Sequence, residues 1–143
     1  MFELHPQLAA DSIVVGDFPL SRLLLLNDSQ YPWFVLVPRR QGISEMFELA
    51  DADQLQLHQE IMGLARGLKE AFVADKMNIA ALGNMVSQLH VHIIVRYRDD
   101  PAWPAPVWGK VAASPYRESA LQERLNSLKT LLKGDFVFAE ARQ

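Results

Sequence analysis

The sequence contains no cysteine. Disulfides, thiolate metal sites and a cysteine nucleophile are thereby excluded, and nothing calls for an oxidising compartment. Long apolar runs are missing as well. The stretches Leu23 to Leu26 and Val35 to Val37 fall far short of the ~20 residues that a membrane span needs. There is no basic excess: 14 Lys and Arg face 17 Asp and Glu, a formal net charge of −3. A general surface for nucleic acid or anionic membrane is not expected on that balance. The opening Met1-Phe2-Glu3-Leu4-His5-Pro6 has an early acid, no basic n-region and no apolar stretch behind it. That argues against a secretory signal and for the cytoplasm.

Half of the 143 residues are hydrophobic and 22% are charged, the balance of a globular chain with a real core. One domain over 1–143 is the expectation. Ser12-Ile13-Val14-Val15-Gly16 is β-branched and predicts a strand, Arg22 to Leu26 a second, and Trp33 to Val37 a third, stopped by Pro38. The connections Asp17-Phe18-Pro19 and Asn27 to Pro32 are rich in turn residues. From Asp51 the period changes. Leu55, Leu57, Ile61, Leu64, Leu68 and Phe72 fall mostly three or four apart, which predicts a helix to about Asp75 with Asp51 or Asp53 as its cap. Gly63 and Gly67 on it suggest close packing against the sheet. Lys76 to Leu82 and Leu89 to Arg96 predict two more strands. Three prolines within Pro101 to Pro106 impose an irregular loop. Leu121, Leu125, Leu128, Leu131 and Leu132 predict a C-terminal helix at about 118–133, closed by Gly134. The sum is an α+β fold: a five-stranded, largely antiparallel meander with two main helices.

Side chains on a strand alternate faces, i and i+2 lying about 6.5–7 Å apart. In the fifth strand Leu89, Val91, Ile93 and Val95 make an apolar face that belongs under a helix. Gln88, His90, His92 and Arg96 share the other face, interrupted only by Ile94, and read as a surface constellation. Two of the chain's four histidines therefore sit two residues apart on one strand face. Three readings follow. The imidazoles are merely hydrogen-bonded, or they offer two neutral nitrogens to zinc, or they work on phosphate. No third metal ligand stands at a telling spacing and no cysteine exists to supply one.

The stretch Gly83-Asn84-x-x-x-Gln88-Leu89-His90-Val91-His92-Ile93-Ile94 resembles the signature of the histidine-triad family, in a bacterial branch with glutamine at the first triad position. Upstream, Leu24-Leu25-Leu26-Asn27, a turn ending at Pro32 and Phe34-Val35-Leu36-Val37-Pro38 are similar to that family's strand, turn and strand. The resemblance covers roughly residues 10 to 110. It implies a nucleotide hydrolase or transferase that acts at the α-phosphate of nucleoside phosphoramidates or dinucleoside polyphosphates. By that resemblance His90 is the nucleophile that forms a nucleotidyl-histidine. His92 bonds the phosphate, Gln88 orients a neighbour, Asn27 or Asp28 holds the ribose, and Asn78 and Asn84 meet the α-phosphate. It further implies a purine nucleotide partner, no cofactor, no metal, and a homodimer paired through the long helix and the fourth strand.

Two departures matter. Glutamine donates and accepts hydrogen bonds but carries no proton charge, and Met85 stands where many members place a hydroxyl. A non-catalytic nucleotide-binding module is therefore the alternative function, and a metal-dependent hydrolase using His90 and His92 the third. Trp103 and Trp108 form either a wall of the site or a rigid packing loop. Among Arg39, Arg40, Arg96 and Arg98, Arg96 is the candidate phosphate contact because it shares the histidine face. His5 and His58 carry no expected role.

Overall fold

The computed structural model describes residues 1–140. A short helix α1 (Pro6–Asp11) begins on proline, and His5 Nδ1 accepts from the free Gln7 amide of its first turn. The meander β1 (Ser12–Asp17), β2 (Ser21–Leu26) and β3 (Trp33–Pro38) follows, then α2 (Asp51–Ala71), β4 (Lys76–Ala80), β5 (Val91–Arg96), α3 (Glu118–Leu131) and β6 (Val137–Phe138). The strands lie in the order β4-β5-β3-β2-β1-β6, and every pairing is antiparallel.

Among the described residues the sheet thus has six strands where five are expected. The extra one spans two residues beside Gly16 and Asp17, too few to show alternation. Gly16 makes room for it: a Cβ there would sit 2.3 Å from the Val137 carbonyl oxygen. The β4 and β5 strands are also shorter than their apolar patterns. Among the described residues Ala81 to His90 pairs with no strand, so His90 precedes β5 rather than lying in it.

One sheet face carries Leu23, Leu25, Phe34, Leu36, Val91 and Ile93, and packs on Leu57, Ile61, Leu64 and Leu68 of α2 and on Leu121 and Leu128 of α3. Each fully buried side chain of this kind contributes roughly 1.5–3 kcal/mol. The helix departs from its reading in four ways. Its cap is Ala50, without a side-chain bond, while Asp53 pairs with Arg40 at 2.7 Å. It stops at Ala71, and Val73 turns the chain with φ of 50°. Leu55, on the expected buried stripe, is 68% exposed. Gly67 packs against α3 instead of the sheet, since a Cβ would lie 2.6 Å from Leu131 Cδ1, and Gly63 faces open space.

The opposite face carries Leu24, Val35, Val37 and Ile94. It is covered too, by Leu8 of α1, by Phe2 and Leu4, and by Ala102 and Val107 of the proline loop. Every residue of β3 and β5 is consequently buried. Alternation along one strand cannot reveal a cover made of loop and N-terminal segment. Among the described residues no helix is long and apolar enough to cross a membrane.

Candidate functional site

His92 pairs with Val35 of β3 and Ala80 of β4, which puts its imidazole on the loop-covered face. His90 precedes β5 by one residue, and the two rings stand 5.0 Å apart at 71°. Each residue is only 7% exposed, so the expected surface constellation is in fact a nearly buried pair. Its cover is aromatic. Trp33 and Trp108 contact the His92 ring edge-to-face at 5.8 and 5.1 Å.

Hydrogen bonds fix opposite tautomers on the two rings. His90 Nδ1 lies 2.7 Å from the Gln88 carbonyl oxygen. A carbonyl can only accept, so Nδ1 carries a proton, and in the neutral ring the lone pair is then on Nε2. Trp33 Nε1 lies 3.0 Å from His92 Nδ1. An indole N–H can only donate, so Nδ1 of His92 accepts and its proton sits on Nε2. Neither Nε2 has a partner among the described residues. Burial, followed by the neighbouring His90, lowers the His92 pKa to about 4. His92 is therefore neutral near pH 7, a donor without charge. His90 also walls a cavity of about 270 Å³ shared with residues 44–47, Leu82 and Gly83. A nucleophilic nitrogen at the wall of a cavity, with an N–H donor on the neighbouring ring, suits attack on an anionic, tetrahedral centre.

A family profile of the HIT domain matches residues 7–99. The chain belongs to the histidine-triad (HIT) family. Solved structures of histidine-triad proteins are similar over nearly the whole length. The one from Marinobacter aquaeolei VT8 is 51% identical, with a TM-score of 0.90 over 92% of this chain and 96% of that one. Those from Bradyrhizobium japonicum and Sinorhizobium meliloti 1021 are 45% and 44% identical. Each has a TM-score of 0.89, over 91% and 92% of this chain and 97% and 98% of theirs. No functionally curated protein matches the chain.

The remaining predicted residues of this HIT protein divide into groups. Asn78 lies on β4 opposite Ile94, diagonal to His92 on the same face, a separation of about 7–8 Å between Cα atoms. Its Oδ1 accepts from Arg96 at 2.8 Å, which leaves its NH2 to donate elsewhere. Asn84 is exposed on the loop after Gly83, whose φ of 79° is the left-handed turn glycine allows. Met85 beside it is 97% exposed.

Asn27 and Asp28 are occupied by the chain itself. Asn27 Oδ1 accepts from Tyr116 N at 2.9 Å, and Asp28 Oδ1 from the amides of Gln30 and Ser114 at 3.1 and 3.3 Å. In this state the pair closes the turn onto residues 112–116, with Asp28 only 4% exposed. The Gln88 side chain bonds the N-terminal segment and makes no direct hydrogen bond to either histidine ring among the described residues. Its amide accepts from His5 N and donates to the Glu3 carbonyl, both at 2.8 Å, while its backbone carbonyl holds His90.

Arg96 is not free for phosphate. It is 2% exposed, forks onto Asp100 at 2.8 and 3.0 Å, bonds the Ala105 carbonyl, and lies over the rings of Tyr31 and Trp103. Burial pushes the Asp100 carboxyl up. Arg96 and the Tyr97 and Trp103 amides more than offset it, leaving the pKa below the usual value. This pair pins the proline loop, so Trp103 serves the anchor and Trp108 the histidines. Arg39 bonds the Phe18 and Pro19 carbonyls, Arg40 pairs with Asp53, and Arg98 is exposed. Among the described residues no three His, Cys, Asp or Glu side chains gather as a metal site. The residue that the sequence reading missed is Trp33. The available signal was an indole at the head of a strand destined for burial, whose N–H must find an acceptor there.

Proposed function

We propose that this HIT protein binds a purine nucleotide and acts at its α-phosphate, with a nucleoside phosphoramidate or dinucleoside polyphosphate as substrate. The observation that carries this reading is the opposed tautomers of the histidine pair. His90 Nε2 attacks the α-phosphorus, the bond to the amine or (poly)phosphate leaving group breaks with its electron pair, and a nucleotidyl-His90 forms. Attack places positive charge on the imidazole, and the Gln88 carbonyl 2.7 Å from Nδ1 stabilises it. His92 Nε2–H and the free amide of Asn78 donate to the phosphate oxygens, with Asn84 as a further donor from the exposed loop. Water then attacks the same phosphorus and returns His90 to its neutral form. Ribose contact through Asn27 or Asp28 requires residues 112–116 to shift away from the turn.

That last requirement favours a second reading, a nucleotide-binding module without turnover, in which the closed turn and the clamped Gln88 are permanent. The two are separated by mixing the protein with adenosine phosphoramidate and diadenosine polyphosphates. Release of adenosine monophosphate that disappears in His90→Ala supports the enzyme. Saturable binding with no release supports the module.

A homodimer is part of the proposal. The outer edge of β4 pairs with no strand among the described residues. Leu55 and Met62 on α2, with Ile79 and Leu82, are 68%, 40%, 43% and 51% exposed. An open strand edge beside apolar side chains is a surface that a second copy would cover.

A further inference from the structure

Gln88 to His90 lies outside the strand ladder, so β pairing does not hold the residue on which the proposed chemistry depends. Three hydrogen bonds hold this segment instead. Leu89 N donates to the Ile43 carbonyl at 2.9 Å. Gln88 Nε2 donates to the Glu3 carbonyl and Gln88 Oε1 accepts from His5 N. The side-chain amide thus treats the passing N-terminal segment as a peptide group would in a sheet. It takes the N–H of one residue and gives to the carbonyl two residues earlier. A neutral imidazole also has one donor and one acceptor, but they diverge across a rigid five-membered ring and cannot serve both groups side by side.

The clamped segment is not loose chain. Leu4 and Phe2 pack on the cluster that covers the histidine face, and Arg22 lies over the Phe2 ring at 5.7 Å. With Arg22, Ser44 and Ser87 it lines an open cleft of about 650 Å³. Gln88 and Ser44 border both this cavity and the smaller one at His90. Gln88 is therefore a shared wall, and its backbone carbonyl is the acceptor at His90 Nδ1.

We propose that the N-terminal segment Phe2 to His5 is a working part of the His90 site, and that Gln88 is the positioning residue which transmits its docking to the nucleophile. The glutamine at the first triad position then exchanges a ring for a clamp. This inference rests on the reading of His90 as the attacking group.

The test compares the wild type with Gln88→Ala, Gln88→Glu, a deletion of residues 2–4, and the deletion combined with Gln88→Ala. Three readouts are followed: the imidazole ¹⁵N shifts of His90, hydrogen exchange at the His5 amide, and the split between kcat and KM for adenosine phosphoramidate. Gln88→Ala and the deletion each convert His90 from one tautomer to a mixture and lower kcat about tenfold, with KM changed less than about twofold. Gln88→Ala also speeds His5 exchange by about tenfold or more. The double variant is no worse than either alone, because both break one clamp. Gln88→Glu, which accepts from His5 but cannot donate to Glu3, falls between, and it carries the test if the alanine variant does not fold. An unchanged His90 tautomer in these variants, or losses that add in the combination, would overturn the proposal. A wild type without turnover overturns the enzymatic reading alone, since tautomer and exchange still decide the clamp.

Discussion

Trp33 Nε1 donates to His92 Nδ1 across 3.0 Å, and this bond determines what His92 can offer a substrate. It turns a buried imidazole, able in principle to present either a lone pair or a proton, into a fixed N–H donor at Nε2. His90 is held in the opposite sense by a backbone carbonyl. Two chemically identical side chains therefore take different roles through their partners alone.

Trp33→Phe keeps most of the packing and deletes the donor. The His92 Nδ1 acceptor is then buried without a partner, at a cost of about 1–3 kcal/mol. Urea denaturation is expected to show that loss. Imidazole ¹⁵N spectra of the variant should show His92 in both neutral forms, with kcat lowered about tenfold. A single unchanged tautomer would mean that something other than the indole sets it.

The lowered His92 pKa ties stability to pH. The unfolded chain takes up the proton near 6.5, whereas the folded protein resists until about 4. Stability from this group is complete above pH 6.5 and is lost as pH falls through about 4, up to about 3 kcal/mol in all. Unfolding free energies measured between pH 7 and 4 should decline by that order in the wild type. His92→Gln, which does not titrate, should lack that part of the decline.

Arg96 and Asp100 form an ion pair with side chains 2% and 3% exposed. Removing one partner strands a buried charge, so Asp100→Asn is expected to cost about 3–5 kcal/mol. Because the pair pins the loop that carries Trp108, the same variant should raise solvent access at His92 and move its pKa upward from about 4, as followed by NMR titration. A variant as stable as the wild type would show that the loop has another anchor.

Leu55→Glu and Ile79→Lys place charge on the proposed pairing face, at residues 68% and 43% exposed. Light scattering should find the wild type as a dimer and the double variant as a folded monomer with unchanged circular dichroism. A monomeric wild type at micromolar concentration removes the dimer from the account.

Much of the architecture was legible because it rests on local period. The β-branched runs, the helical spacing of Leu57 to Leu68 and the alternation Leu89-Val91-Ile93-Val95 each depend on neighbours in sequence. What stayed hidden depends on distant chain. Phe2 and Leu4 of the N-terminal segment and Val107 of the proline loop cover the histidine face, and no strand pattern encodes a lid of that kind. For the same reason Arg96 read as a free phosphate contact when Asp100, four residues on in a loop, already neutralises it. Asn27 and Asp28 were legible as a turn, but their partners at Ser114 and Tyr116 lie more than 80 residues away.

In the proposed reaction His90 becomes covalently attached to the nucleotide. Protein is mixed with adenosine phosphoramidate labelled at the α-phosphorus, quenched in base within milliseconds to seconds, and digested for mass spectrometry. Alkali-stable, acid-labile label is expected on the peptide that contains His90, absent from His90→Gly and present at an altered level in Trp33→Phe. Turnover without label on that peptide, or label that survives in His90→Gly, would contradict the proposed reaction.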